Sequence, residues 1–206
     1  MALSDLTFKL YTDSGLTTLF TGLFQLTHLT DLSDNPQDFQ LWFGSNTADR
    51  QLQANSNPGV DDIVLTPTDT LASWAAATAY SLGAMREPTT PNGFVYRVTV
   101  AGTSHASVEP TWPTSGIGTT VTDGTVTWAL VGAKHPTTEI KLALTAGGLA
   151  GATPGAALNL GDTILSDVAN AVEINMRVTN TVTTVYSNTG YPQIGIFVNE
   201  VLETEV

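Results

Sequence analysis

Apolar and polar residues alternate along several short stretches of this chain, and a period of two marks half-buried strands. In LTFKLYT (6–12), Leu6, Phe8 and Leu10 fall on one face, and Thr7, Lys9 and Tyr11 on the other. FTGLFQLTHL (20–29) and FQLWFGS (39–45) are further strand candidates, and DDIVLTPTD (61–69) follows, with Pro67 closing it. In EIKLALT (139–145), Ile140, Leu142 and Leu144 share a face. In AVEINMRVTNTV (171–182), Val172, Ile174, Met176 and Val178 oppose Glu173, Asn175, Arg177 and Thr179. PQIGIFVNEV (192–201) places Ile194, Ile196 and Val198 together. Repeated alternation of this kind predicts antiparallel sheets with one wet face. No segment sustains a helical period, although ADRQLQA (48–54) and TLASWAAATAY (70–80) have room for a helical turn. The expected fold class is all-β.

Composition agrees. Only 13% of residues are charged, about half the ordinary share, and Thr, Gly, Ala, Val and Leu take their place. The texture changes between about 70 and 135. Ser73 to Gly132 carries two Arg, two Glu and one Asp, so most of the formal charge of −12 lies outside it. The same stretch holds Trp74, Trp112 and Trp128, three of the four tryptophans. Residues 1–72 and 134–206 each supply too few strands to close a core alone. Together they predict a discontinuous β-sandwich or jelly-roll-like domain, interrupted by a small inserted β-module at 73–133.

A module of about 60 residues buries little apolar area, and aromatic rings supply the most surface per residue. Trp74, Tyr80, Tyr96, Trp112 and Trp128 are therefore its candidate core. NGFVYRVTVAG (92–102) reads as a strand with Phe94, Tyr96, Val98 and Val100 on one face. TDGTVTWALVG (122–132) reads as a hairpin turning at Asp123-Gly124. EPTTPNG (87–93) and EPTWPTSG (109–116) echo one another as two similar loops. Trp112 lies between two prolines, which leaves both a core place and an exposed platform open. As a platform it would stack on the apolar face of a sugar, with Asn92, Glu109 and Asp123 taking the hydroxyls.

The middle of the chain resembles a known module. Trp74, Tyr80, Gly83, Pro88, Asn92-Gly93 and Tyr96, then AGTS (101–104), EPTWP (109–113) and TDGTVTW (122–128), are similar to a small carbohydrate-binding-like module of bacteriophage virion proteins. That module occurs in tail fibres, baseplates and head appendages. The resemblance covers 74–132 and brings no catalytic residues. TDLSDNPQDFQLWFGSNTADRQLQANSNPGVDDI (30–63) also resembles a segment of phage structural proteins that carry such an insertion.

What the resemblance implies is a non-enzymatic virion structural protein. The first expectation is a capsid decoration protein that displays the module outward. The second is a tail-fibre or baseplate adaptor that binds a receptor glycan. The expected partners are the major capsid protein or other virion proteins, further copies of the chain in a homotrimer, and a host-surface glycan. Seven basic residues without a cluster argue against nucleic acid. No apolar run approaches the ~20 residues of a membrane span, so no membrane insertion is expected. MALSDLTFKLYTD lacks the apolar core of a signal peptide, and the absence of cysteine suits a reducing cytoplasm. The expected place is the virion, with the protein made in the host cytoplasm and leaving the cell by a route such as lysis.

Other chemistries read weakly. Ser104-His105 lacks the second glycine of a nucleophile elbow. Glu109 and Asp123 form only a nominal glycosidase pair. His28, His105 and His135 have no metal-ligand spacing. DLSDNPQD (31–38) and GVDDI (59–63) miss the EF-hand pattern and leave only a looser calcium site open. SGIGTTV (115–121) and AGGLAGATPG (146–155) are not phosphate cradles. No metal and no cofactor are expected.

Overall fold

A computed structural model describes residues 6–21, 33–182, 191 and 193–206. Its strands, in chain order, begin with β1 (Lys9–Tyr11), β2 (Gln37–Gly44), β3 (Arg50–Ala54) and β4 (Val64–Asp69). The middle contributes β5 (Ala79–Tyr80), β6 (Met85–Arg86), β7 (Phe94–Val100), β8 (Gly102–Thr103), β9 (Thr120–Asp123) and β10 (Val126–Ala133). The remainder are β11 (Ile140–Ala143), β12 (Leu158–Asn159), β13 (Thr163–Leu165), β14 (Val172–Val178), β15 (Ile194–Val198) and β16 (Val201–Glu205). Helical structure among the described residues is confined to single 3-10 turns such as Ala146–Ala150. The fold is all-β, and no helix there is long and apolar enough to cross a membrane.

The chain divides into two compact units. The first draws on Met1–Thr68, Thr137–Thr179 and Gly195–Val206, the second on Asp69–Pro136 and Asn180–Ile194. The second unit therefore starts and ends outside the expected 73–133, and it also takes in a later segment.

The first unit is sandwich-like, with sheets in the orders β1-β2-β14-β11, β12-β4-β15 and β13-β3-β16. The β2–β14 ladder shows how sequence sets the register. Leu41 faces Ile174 and Phe39 faces Met176, while Trp42 faces Glu173 and Asp38 faces Arg177. A slip of one residue would exchange the two faces. On the polar side Arg177 donates both Nε–H and an Nη2–H to the Asp38 carboxylate at 2.7 Å each. On the apolar side Leu41, Phe43, Ile174 and Met176 are buried, each contributing roughly 1.5–3 kcal/mol. Glu203 of β16 accepts from the Thr7 amide at 2.7 Å and the Thr7 hydroxyl at 2.5 Å, fastening the N-terminal segment.

Several expectations need correction here. Tyr11 is buried while Leu10 is only half-buried, so the first alternation breaks at its end. β4 runs through Pro67 to Asp69. Its pairing with β12 involves only Val64 and Leu65, so the missing proline N–H interrupts no pairing there. Residues 50–54 are strand, and 70–80 contain no helix. Leu144 is exposed because β11 ends at Ala143 and Thr145 caps the following 3-10 turn. Asn175 is buried among its polar partners and donates to Glu173 at 2.9 Å. The candidate strand at 20–29, with His28, lies outside the described residues beyond Thr21.

The second unit is organised around the sheet β6-β7-β10-β9, with β5-β8 as a separate pair. The sheet carries a core on each face. Trp74, Tyr80, Tyr96, Val98, Val126, Trp128 and Leu130 form one cluster. Leu71, Met85, Val95 and Val131 form the other, with Tyr191 packed against it. Hence Val95 is buried although the strand pattern put it on the wet face, and Val100 at the strand's end is exposed. The β9–β10 turn is centred one residue later than expected. Asp123 pairs with Val126, so Gly124 and Thr125 make the turn. Gly124 has φ +60°, as a type I′ or II′ hairpin turn requires at its first position.

Candidate functional site

The aromatic residues of the second unit converge on one buried carboxylate. Asp123 is 3% exposed. Its Oδ2 accepts the indole N–H of Trp74 at 2.8 Å and that of Trp128 at 3.2 Å. Its Oδ1 accepts the His105 amide N–H at 2.7 Å. A buried carboxyl group is tolerated when such donors satisfy its oxygens. Asp123 is thus a structural hub and not the hydroxyl ligand that the sequence suggested.

Trp112 takes a place between core and platform. Its ring lies 4.3 Å from Tyr96 at 38° and 5.6 Å from Trp128 at 69°. It remains half-buried, and its indole N–H donates to Glu109 Oε1 at 2.8 Å. Glu109 also accepts from the amide of Thr89 at 2.9 Å and from the Thr89 hydroxyl. The two echoing loops therefore bridge each other through this carboxylate. Burial raises the pKa of Glu109, but the bonds from the Thr89 hydroxyl, the Trp112 indole and the Thr89 amide outweigh it, and the net direction is down.

Asn92 is exposed and tied at both ends of its amide. Its Nδ2–H donates to Tyr96 Oη at 2.8 Å, and its Oδ1 accepts from the Phe94 amide at 3.0 Å. The Tyr96 hydroxyl in turn donates to the carbonyl of Pro113 at 2.9 Å. Burial pushes the Tyr96 phenol up, opposed by the Asn92 bond. The arrangement is one small surface: a half-buried indole, the exposed Asn92 amide and the Glu109 carboxylate. It can offer a flat apolar contact edged by polar groups.

Ser104 and His105 are held by neighbouring backbone groups. Ser104 Oγ donates to Ala75 O at 2.7 Å and accepts from the Thr78 amide at 2.9 Å. His105 Nδ1 accepts the amides of Ser107 and Val108 at 3.2 and 3.0 Å. Each is engaged by backbone. Among the described residues no three His, Asp or Glu side chains gather to hold a metal ion.

No protein-family model matches the chain, and the searches of curated proteins and of solved structures return no match.

One polar centre was not legible beforehand. Lys134 lies 3.0 Å from Asp69 Oδ2 and 2.9 Å from Glu87 Oε2, and the Tyr191 hydroxyl donates to the same Asp69 oxygen at 3.0 Å. The partners are far apart in sequence, so no spacing rule finds them. The one available signal was a lysine at the edge of a stretch with few charges. Because Asp69 and Lys134 stand near the start and end of the 69–136 stretch, their contact brings its entry and exit together.

Proposed function

We propose that this chain is a bacteriophage virion structural protein, and specifically a capsid decoration protein. The observation that carries the reading is the closure of the 69–136 stretch at its base by Asp69 and Lys134, within a chain that forms two compact β units. A stretch whose entry and exit meet is what an inserted module requires. The resemblance of 74–132 to a phage virion module supports the same reading. In this reading the first unit binds the major capsid protein, assisted by self-association such as a trimer. The charge of −12 keeps the surface away from DNA and from anionic membrane.

The test mixes purified protein with undecorated capsids and counts bound copies by sedimentation. Saturable binding in many copies per particle, little weakened by salt, is the expected result. Salt insensitivity follows if the contact is apolar, since screening acts on charge terms. No binding to capsids, with capture of tail or baseplate components instead, would replace this reading by the second one. That second reading is a tail or baseplate adaptor that binds a glycan. The half-buried Trp112 edged by Asn92 and Glu109 favours it, and a glycan array read with Trp112→Ala as control tests it.

A further inference from the structure

Asn92-Gly93 is the one Asn-Gly pair in the chain, and the structure gives it an exposed setting with a chemical consequence. Asn92 is exposed, and Gly93 has φ +82°. A Cβ built on Gly93 would meet nothing within 4 Å, so the dipeptide has open space on the glycine side. Asp123-Gly124 is the contrasting pair. Asp123 has both carboxylate oxygens engaged in the interior. A Cβ on Gly124 would lie 2.4 Å from the Thr103 carbonyl oxygen, so that backbone has no room to swing.

We propose that Asn92 is a spontaneous deamidation site whose conversion loosens the Trp112 loop from the aromatic cluster. The Gly93 amide nitrogen attacks Asn92 Cγ, the side-chain nitrogen leaves as ammonia, and a five-membered succinimide closes. Glycine favours this step because it has no side chain to block the approach. Water then opens the ring at either carbonyl, giving aspartate or isoaspartate, so one water enters and one ammonia leaves.

The product differs where it matters. Asn92 now donates to Tyr96 Oη, and Tyr96 donates to the Pro113 carbonyl next to Trp112. A carboxylate at 92 has no N–H to give, and it sets a negative charge against the phenol oxygen. The isoaspartate form also lengthens the backbone ahead of Phe94, whose amide Asn92 Oδ1 now accepts. The inference holds whichever partner the surface meets. It predicts that freshly made and aged protein differ in the presentation of Trp112.

The test incubates the full-length protein in warm, mildly alkaline buffer and maps its peptides by mass. The expected result is replacement of NH2 by OH at Asn92 several-fold faster than at any other asparagine, with isoaspartate present. Acrylamide quenching of tryptophan emission should rise in step, and fresh Asn92→Asp should already show the raised quenching. Trp112→Phe should abolish the difference. Asn92→Gln, carried through the same incubation, should show neither conversion nor drift. An Asn92 peptide that stays unchanged while a free peptide of the same sequence converts would show that the fold protects the site, and the proposal fails. Conversion with unchanged quenching overturns the loosening.

Discussion

The carboxylate of Asp123 accepts three N–H groups, two of them from indoles. That makes it a sensitive position in the second unit. Asp123→Ala would strand the Trp74 and Trp128 indoles in an apolar interior, and should cost about 3 kcal/mol or more, read by denaturant unfolding. Its sequence signal was the Asp-Gly dipeptide, which correctly marked a hairpin but hid the burial. A turn residue and a buried hub look alike when the indoles that hold it lie far away in sequence. The tryptophans separate in the same manner. Trp128 is fully buried, so Trp128→Ala should cost ~3–5 kcal/mol. Trp112 is half-buried and keeps its stacking on Tyr96, so Trp112→Ala should cost roughly 1–2 kcal/mol. Equal losses would make Trp112 a core residue and remove the platform. Glu109 adds a pH dependence of known sign. Its folded pKa is lowered, so its stabilising bonds to Thr89 and Trp112 are present above the ordinary carboxylate pKa and are lost as pH falls through the lowered value. Stability measured by denaturant at stepwise lower pH should fall on that side, and Glu109→Gln should flatten the slope.

At the scale of elements, alternation placed Ile140 and Leu142 of β11 and Ile174 and Met176 of β14 on a buried face, but missed the burial of Asn175 and the exposure of Leu144. It misread β7 because that strand is covered on both faces, and a period of two cannot report a second core. β10 behaves in the same way, since Val126, Trp128 and Leu130 enter one cluster and Val131 the other. Glycine carries a different kind of information here. β8 crosses the β9–β10 turn so closely that a Cβ on Gly102 would lie 2.4 Å from the Thr125 carbonyl oxygen. Two hydrogen bonds join the segments there: the Thr125 amide donates to Thr103 O at 2.9 Å, and the Thr103 amide to the Thr125 side-chain Oγ1 at 2.8 Å. Gly102→Ala should therefore cost about 1–3 kcal/mol through overpacking. Gly124→Ala should cost more, because it adds a left-handed φ to the same clash. Gly147→Ala, where a Cβ meets nothing within 4 Å, is the matched control and should be close to neutral in the same melts.

For the whole molecule, the question is whether the first unit stands without the stretch inserted within its sequence. Its ladders run β1-β2-β14-β11, β12-β4-β15 and β13-β3-β16, and none of them borrows a strand from between Thr70 and Pro136. Its register is fixed by pairs such as Leu41–Ile174, Leu52–Ile164 and Leu65–Leu158, all within that unit. Replacing residues 74–132 by a short Gly-Ser linker should therefore leave strand signal in circular dichroism and a single cooperative unfolding transition. One local loss is expected. The excision removes Glu87 from the Lys134 centre, and Met85, Val95 and Val131 from the cluster that covers Leu71 and Tyr191. The shortened protein should accordingly expose Tyr191, seen as raised tyrosine accessibility, and melt below the intact chain. Reinstating the longer 69–136 stretch on its own chain should restore the aromatic cluster but not the Asp69–Tyr191 bond, because Tyr191 returns from a later part of the sequence. If the shortened protein loses all cooperative structure instead, the two units fold only together, and the appended-module reading on which the proposed attachment rests falls with it.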